Sequence, residues 1–101
     1  MIKYKIDILE ELNKCGFNRI RLRRNKLFSQ QTLQNISDQR KIDTMTLEEI
    51  QKDARLYTRY KEGIPNISLG TLNIICIILK KKPSDIIEII QTDDETIKIF
   101  K

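Results

Sequence analysis

Apolar residues recur along this chain with two different periods. Residues 2–6 alternate between apolar and polar side chains, which allows a short β-strand. From Asp7 to Cys15 the apolar positions fall at helical spacing instead, and Gly16 supplies a stop signal. The change of period predicts a short strand followed directly by a first helix.

Capping residues mark the next two helices. Asn18 is expected to cap a short second helix, with Ile20 turned inward and the arginines turned outward. Ser29 is expected to cap a third helix that runs from Gln30 to about Ser37. Residues 38–45 are polar and lack a clear period, which leaves open a loop or a frayed extension of the third helix.

A capping-box pattern begins the next element. The Thr46 hydroxyl can accept a hydrogen bond from a free backbone N–H, and Glu49 can reach back to the cap. The pattern predicts one helix over about 46–61, closed by Gly63 and Pro65. Its expected apolar stripe is Leu47, Ile50, Ala54 and Tyr57.

The last third of the chain contains two further helical patterns. Ser68 is expected to cap a helix so apolar that it belongs in the centre of the fold or partly in a subunit interface. Another helix is expected from Pro83 to about Ile90, since proline suits a first helical turn. The tail 96–101 alternates again and predicts a second strand, paired with residues 2–6 of the same chain or of a partner.

These elements indicate a mainly helical fold with one hydrophobic core. The chain has 101 residues, of which 40% are hydrophobic and 33% charged, as in a single soluble globular domain. Only three glycines and two prolines are present, which argues against a turn-rich β fold. The residues expected to be mostly buried are Leu9, Leu12, Leu22, Leu33, Ile36, Leu72, Ile75, Cys76, Leu79 and Ile86.

The sequence lacks the residue types and patterns that catalysis and metal binding usually require. Histidine is absent, Cys15 and Cys76 make no metal pattern, and no nucleophile has a plausible base, so we expect neither an enzyme nor a cofactor. Each cysteine lies in an apolar helical stretch and is expected to pack in the core. The first residues lack a signal-peptide run, and the apolar segment Leu69 to Leu79 is too short for a bilayer. A cytoplasmic protein is expected.

The net charge of +5 is unevenly distributed. Residues 12–37, called the basic segment below, contain no acidic residue, whereas acidic and basic residues balance almost completely elsewhere. A surplus confined to one acid-free segment favours a polyanionic partner. The basic side chains of this segment are Lys14, Arg19, Arg21, Arg23, Arg24 and Lys26.

The same segment has the pattern of a helix-turn-helix between Asn18 and Ser37. Two short helices are separated by about three residues, and the second opens with a capping serine followed by polar residues. Amide side chains offer a donor and an acceptor side by side, which matches the major-groove edge of adenine. The amides expected to be exposed and to read bases are Gln30, Gln31, Gln34 and Asn35.

The order of these motifs resembles the lambda-repressor-like (Cro and XRE type) helix-turn-helix proteins of bacteria and phages. Gly16-Phe17-Asn18, Leu22, Phe28-Ser29 and Thr32-Leu33 are similar to their first three helices, and Ile67–Leu72, Ile75-Cys76, Leu79, Pro83 and Asp85–Glu88 to their last two. The resemblance implies an all-α five-helix bundle, to which this chain adds an inserted helix within residues 38–66. Residues 1–101 would form one domain, and short terminal strands can complete it.

The resemblance also implies a function. The chain would be a sequence-specific transcriptional regulator of double-stranded DNA, a phage-type repressor in a bacterial cytoplasm. Gln30 and Gln31 would read bases, while Asn18 would contact a phosphate through its amide and the helix N-terminus. A homodimer is expected, with a seam at the terminal strands or at Ile74, Ile77 and Ile78. The residues expected to bind phosphate are Asn18, Arg19, Arg21, Arg23, Lys26 and Ser29.

Two departures from that family keep alternatives open. Leu27 stands where the turn usually has a glycine, and residues 38–66 replace a short loop. The end of this insert resembles the exit from a recognition helix in longer relatives, and the DNA contacts would then be Arg55, Tyr57, Thr58 and Arg59. The alternative function is a protein-binding helix-turn-helix module, such as an antitoxin or an inhibitor of a nucleic-acid enzyme.

Overall fold

The computed structural model describes residues 2–62 and 67–90. Within these two ranges the chain forms seven helices and a two-stranded sheet, so the prediction of a mainly helical fold is confirmed. In chain order the elements are β1 (Ile2–Tyr4), α1 (Ile8–Lys14), α2 (Arg19–Arg24), α3 (Gln30–Thr44), α4 (Leu47–Gln51), α5 (Ala54–Glu62), α6 (Leu69–Leu79), α7 (Pro83–Ile86) and β2 (Ile87–Ile89).

The ends of α1 and α2 follow the sequence signals. Gly16 closes α1 in the left-handed conformation, with a φ of 86°. The side-chain oxygen of Asn18 accepts a hydrogen bond from the backbone of Arg21 at 2.8 Å, which caps α2 as predicted. At the end of α2 the left-handed residue is Lys26, with a φ of 56°, so Leu27 does not need the glycine conformation. The inward placement of Ile20 was wrong, since 66% of it is exposed.

Helix α3 begins at its predicted cap but extends a further two turns. The Ser29 hydroxyl accepts a hydrogen bond from the backbone of Thr32 at 3.1 Å. The helix continues through Thr44, so the predicted end near Ser37 was too early, and of the two alternatives for residues 38–45 the helical extension is the one observed. Ile42 packs in a second apolar cluster, and Gln39 donates to Asp43 at 2.9 Å. Burial of this apparently polar stretch keeps it helical.

The insert contains two helices where one was predicted over 46–61. The Thr46 cap is confirmed, because its hydroxyl accepts from the backbone of Glu49 at 3.3 Å. The helix then breaks at Lys52 and Asp53, and Asp53 caps α5 by accepting from the backbone of Leu56 at 3.2 Å. The predicted stripe was wrong at Leu47 and Ala54, which are exposed; the buried positions are Ile50 and Leu56.

The C-terminal described elements close the fold onto β1. The Ser68 hydroxyl accepts from the backbone of Thr71 at 3.0 Å and caps α6 as predicted. Helix α7 ends at Ile86, so its predicted extension to Ile90 was wrong. The following residues form β2 because their backbone pairs antiparallel with β1, with Ile87 opposite Tyr4. The strand predicted at 96–101 lies outside the described residues.

The main core lies between β1, α1, α2, α3, α6 and α7. Every residue predicted to be mostly buried is either buried in it or partly buried and packed against it. Cys15 is exposed, which corrects its predicted core position, whereas Cys76 packs against the core. A second cluster joins Ile42, Ile50 and Leu56. Among the described helices, none combines the length and apolarity needed to cross a membrane.

Candidate nucleic-acid interface

The turn between α2 and α3 is held tightly by the core. The backbone N–H groups of Leu27 and Phe28 both donate to the carbonyl of Leu22, at 3.0 and 3.3 Å. Phe28 and Leu22 are buried, as is Leu33 one turn into α3. The two helices are therefore fixed relative to each other, and the first turn of α3 is presented as one rigid surface.

Two of the six basic side chains in the basic segment have local partners. Lys14 lies 3.3 Å from Glu11 and 3.7 Å from Glu10, and the hydrogen bond with Glu11 raises the pKa of Lys14. Arg21 donates to the carbonyl of Gly16 at 3.0 Å, and its guanidinium carbon lies 4.0 Å from the centre of the Phe17 ring. Lys14 is thus neutralised locally, and Arg21 is held against the end of α1.

The other four basic side chains have no such partner. Arg19, Arg23 and Arg24 project from α2, and Lys26 follows in the turn; all four are exposed. No carboxylate in residues 2–62 or 67–90 pairs with any of them. Four uncompensated charges along one short helix and its turn make a surface suited to phosphates. Arg24 was not among the predicted phosphate-binding residues, although it belongs to the same acid-free segment.

Polar side chains at the start of α3 adjoin this basic surface. Gln30 and Gln31 are exposed, as predicted. The Ser29 hydroxyl lies 3.0 Å from that of Thr32, so both are committed to the cap. Asn18 uses its side-chain oxygen for its own cap, and its amide nitrogen has no partner within the described chain. This leaves an NH₂ group that can donate to a phosphate.

The predicted amide surface does not extend along the whole helix. Asn35 is 6% exposed, so its prediction as an exposed base reader is corrected. Gln34 is half-buried and donates to a carboxylate oxygen of Asp38 at 2.8 Å. The cause is the insert, because α5 packs beside α3 and covers its later turns. Gln30 and Gln31 in the first turn of α3 are the exposed amides of this set, while Gln34 lies half-buried at their border.

A buried carboxylate joins α3 to α5. Asp38 is 1% exposed and pairs with Arg55, while its other ionic neighbour is Arg59, whose Nε lies 3.9 Å away. The hydrogen bond to Asp38 raises the pKa of Arg55. Arg59 also donates to the side-chain oxygen of Asn35 at 3.1 Å. The sequence signal for this cluster was Asp38 itself, four residues after Gln34 on the same helix face.

These contacts bear on the alternative set of DNA contacts in the insert. The side chain of Arg59 is only 14% exposed, and Arg55 is paired. Tyr57 is half-buried and stacks on Tyr60, with ring centres 6.3 Å apart. Thr58 is exposed, and its hydroxyl donates to the carbonyl of Ala54 at 2.9 Å. The structure therefore uses the two arginines of this set to attach α5 to α3, while Tyr57 and Thr58 make contacts within α5.

A groove adjoins the basic surface at the start of α2 and shares Asn18 and Arg19 with it. It has a volume of about 700 Å³ and lies between α1, the start of α2 and the middle of α3. Leu9, Ile20 and Ile36 give it apolar walls, and charged residues of both signs line it too, among them Glu10 and Arg40. The exposed Ile20 is thus part of a concave surface rather than an isolated apolar residue.

Comparison with known proteins gives no relative for this chain. No family model, no curated protein and no solved structure matches it. The function therefore has to be inferred from the geometry and chemistry of the site.

Proposed function

We propose that the chain is a sequence-specific regulator of transcription that binds double-stranded DNA, in the manner of a phage-type repressor. The observation that carries this proposal is the adjacency of four unpaired basic side chains on α2 and its turn to the exposed amides at the start of α3. In this arrangement α3 enters the major groove by its first turn, and α2 lies along the phosphate backbone.

The two kinds of side chain divide the binding free energy between them. Arg19, Arg23, Arg24 and Lys26 supply attraction to phosphates that does not depend on sequence. Gln30 and Gln31 can meet base edges, since they are exposed on the turn that leads the helix. Arg21 is a weaker candidate for phosphate binding than its neighbours, because it is held on Phe17 and Gly16.

The proposal is tested by a charge deletion with a matched control. Replacing Arg19, Arg23, Arg24 and Lys26 together by Ala should weaken binding to all duplexes alike. Each lost phosphate contact lowers the slope of log affinity against log salt by about one unit, and we expect a loss of roughly two to three units. The control replaces four exposed lysines elsewhere by Ala: Lys52, Lys80, Lys81 and Lys82.

Both variants remove four positive charges, so a difference between them reports where the charges lie on the molecule and not how many there are. The control should keep the wild-type salt slope within about one unit. Equal losses in the two variants would mean that the basic segment is an ordinary solvated surface, and the proposal would fail. The measurement is duplex binding by fluorescence anisotropy at several salt concentrations.

The groove beside Ile20 favours a second candidate, a protein-binding helix-turn-helix module. Its apolar walls and mixed charges are the features of a small protein contact rather than of a DNA contact. Ile20→Ser distinguishes the two, because Ile20 is exposed and contributes to no buried core. Loss of a protein partner with unchanged DNA binding would support the module, while unchanged regulation of a bound promoter would support the regulator.

A further inference from the structure

Gln31 and Gln34, at the border of α3 that is proposed to face DNA, each form a hydrogen bond to a buried side chain of the same helix. The partners determine whether the amide nitrogen or the carbonyl oxygen of each glutamine makes that bond. Arg59 donates to the side-chain oxygen of Asn35 at 3.1 Å. A guanidinium group can only donate, so it is the oxygen of Asn35 that faces α5. Gln31 meets the same oxygen at 2.8 Å and must therefore donate from its amide nitrogen.

The second glutamine, Gln34, also donates from its amide nitrogen. Gln34 lies 2.8 Å from a carboxylate oxygen of Asp38, whose other oxygen is paired with Arg55. A carboxylate held by arginines only accepts hydrogen bonds, so Gln34 also donates from its amide nitrogen. Rotating either glutamine by half a turn would place two oxygens against each other beside a buried cluster.

Because the amide nitrogens form these hydrogen bonds, the two carbonyl oxygens remain available to an external partner. Neither the Gln31 nor the Gln34 carbonyl oxygen has a hydrogen-bond partner in the described part of the chain. Each amide nitrogen has already given one of its two N–H groups to Asn35 or Asp38, whereas each carbonyl oxygen is wholly available, so a base that donates to this oxygen makes the fuller contact. In the major groove the matching donors are the N4 amino group of cytosine and the N6 amino group of adenine. Guanine and thymine present O6 and O4 acceptors in the corresponding places.

We propose that the inserted helix α5 sets the hydrogen-bond polarity of the base-reading surface. Arg59, acting through Asn35, is a positioning residue that makes Gln31 select adenine or cytosine over guanine or thymine on the contacted strand. Arg55 and Asp38 fix Gln34 in the same sense. This inference rests on the proposed DNA-binding function and gives the insert a role in specificity without any contact between α5 and a base.

The test begins with the wild-type chain. Its preferred duplex is selected from a random library, and Gln31→Ala identifies the base pair at which discrimination is lost. We expect adenine or cytosine there on the contacted strand, favoured roughly 5- to 100-fold over guanine or thymine. Replacing adenine by unsubstituted purine, which lacks only the N6 amino group, should remove most of that preference. For a site selected with cytosine, the amino-free pyrimidinone analogue serves the same purpose.

The insert's role is tested by variants of Arg59. Arg59→Met removes the guanidinium donor to the Asn35 oxygen, so the Asn35 and Gln31 amides can turn together and Gln31 can present its NH₂ group to a keto base. We expect the variant to gain affinity for guanine or thymine at that position, a gain that loss of stability alone cannot produce. Arg59→Lys keeps a donor and should retain the wild-type ratio, as should Lys61→Met, a matched charge deletion on the same helix.

The outcomes separate this inference from the function beneath it. A chain with no sequence preference defeats the proposed function and the inference together. A clear preference for guanine or thymine at the Gln31 position, or an unchanged affinity after deletion of the amino group, overturns only the inference. An Arg59→Met variant that folds, judged by circular dichroism, and keeps the wild-type base ratio also overturns it. Should that variant not fold, the amino-deletion result decides alone.

Discussion

The hydroxyl of Tyr4 is a polar group in an apolar setting. Tyr4 is buried, and among the described residues its hydroxyl has no hydrogen-bond partner. Burial raises the pKa of Tyr4, with a further contribution from the negative charge of Asp43. The folded chain therefore holds this proton more tightly than the unfolded chain, in which tyrosine ionises near pH 10. The stability gained from the neutral form is complete below that pH and is lost as the pH rises above it.

Tyr4→Phe should separate the cost of the unpaired buried hydroxyl from the effect of its ionisation at high pH. At pH 7 we expect the variant to be as stable as the wild type or more stable by about 1 kcal/mol, because an unpaired buried hydroxyl is removed. Above pH 10 the wild type should lose stability faster than the variant. Urea unfolding at both pH values measures this, with Tyr60→Phe as the control. A variant clearly less stable at pH 7 would mean that the hydroxyl has a partner.

Two lysines occupy the left-handed backbone region. Lys26 has a φ of 56° and Lys80 one of 55°, a conformation that costs a side-chain-bearing residue about 1–2 kcal/mol. Glycine removes that strain but loses more entropy on folding. Lys26→Gly and Lys80→Gly should therefore each stabilise the chain by about 0.5–1 kcal/mol.

The same pair tests the site. Lys26→Gly should also weaken duplex binding, whereas Lys80→Gly should not, since only Lys26 lies beside α3. Thermal unfolding and anisotropy titrations give the two readouts. Destabilisation by both glycine changes would contradict the assigned backbone conformation.

At the residue scale, the sequence predicted caps and core residues well, but it misplaced several residues between core and surface. Asn18, Ser29 and Ser68 cap their helices as expected, because a cap depends on hydrogen bonds within one turn. Asn35 was expected at the surface and is buried, and the reason lies 24 residues further along the chain, where Arg59 contacts it. Such burial depends on how elements pack, which periodicity alone does not report.

At the scale of elements, the attachment of α5 to α3 depends on the carboxylate of Asp38. Asp38→Asn keeps the shape of the side chain but leaves the mostly buried Arg59 without its counter-charge. Removing one partner of a buried ion pair is strongly destabilising, and we expect a loss of about 3 kcal/mol. Arg55→Ala should cost less, because the Arg55 side chain is half exposed.

Chemical denaturation measures both changes. Glu62→Gln, which neutralises an exposed acid at the end of α5, is the control and should have little effect. If Asp38→Asn were no more destabilising than this control, the ion pairs would not be what holds α5 in place.

The two elements that the sequence patterns missed have different causes. The helix predicted over 46–61 is broken because Asp53 serves as a cap, and a single aspartate inside a helical period gives little warning of that. The isoleucine-rich segment after Pro83 fits a helix or a strand equally well by composition. It becomes β2 because β1 offers it an antiparallel partner, a contact across more than 80 residues. One miss is thus a local cap without a distinctive pattern, and the other is a strand whose formation depends on a distant partner.

At the scale of the whole molecule, α3 belongs to two hydrophobic clusters. Leu33 and Ile36 lie in the main core, while Ile42 lies in the cluster formed with Ile50 and Leu56 of the insert. The insert is therefore packed onto the same helix that is proposed to read DNA. A helix anchored at both ends keeps its first turn in a constant orientation, which base discrimination at hydrogen-bond distances requires.

At the scale of the whole molecule, the proposed DNA-binding surface has a limited reach, and this leads us to expect a homodimer. One helix reads only a few base pairs, and a two-fold pair doubles the contacts at a spacing set by one turn of DNA. Helix α6 offers apolar side chains for the seam: Leu69 is 84% exposed and Ile77 66%. Ile74 and Ile78, expected beside Ile77, pack instead against the core. The other expected seam was the terminal strands; the one at 96–101 lies outside the described residues, but β2, which pairs with β1, carries Ile89 at 76% exposure.

Light scattering at micromolar concentration should give twice the chain mass of 12.0 kDa. Ile77→Lys should return the wild-type dimer to a monomer if the seam lies on α6, whereas Ile89→Lys should do so if it lies on β2. Ile20→Lys is the matched control, because Ile20 is also 66% exposed but lies on α2.

A monomer both free and on DNA would contradict the expectation. So would equal dissociation by all three lysine changes, since charge alone would then act wherever it was placed. Dissociation by Ile77→Lys or Ile89→Lys alone, with a loss of affinity for a two-fold site and unchanged binding to a half-site, would locate the seam and connect it to DNA recognition.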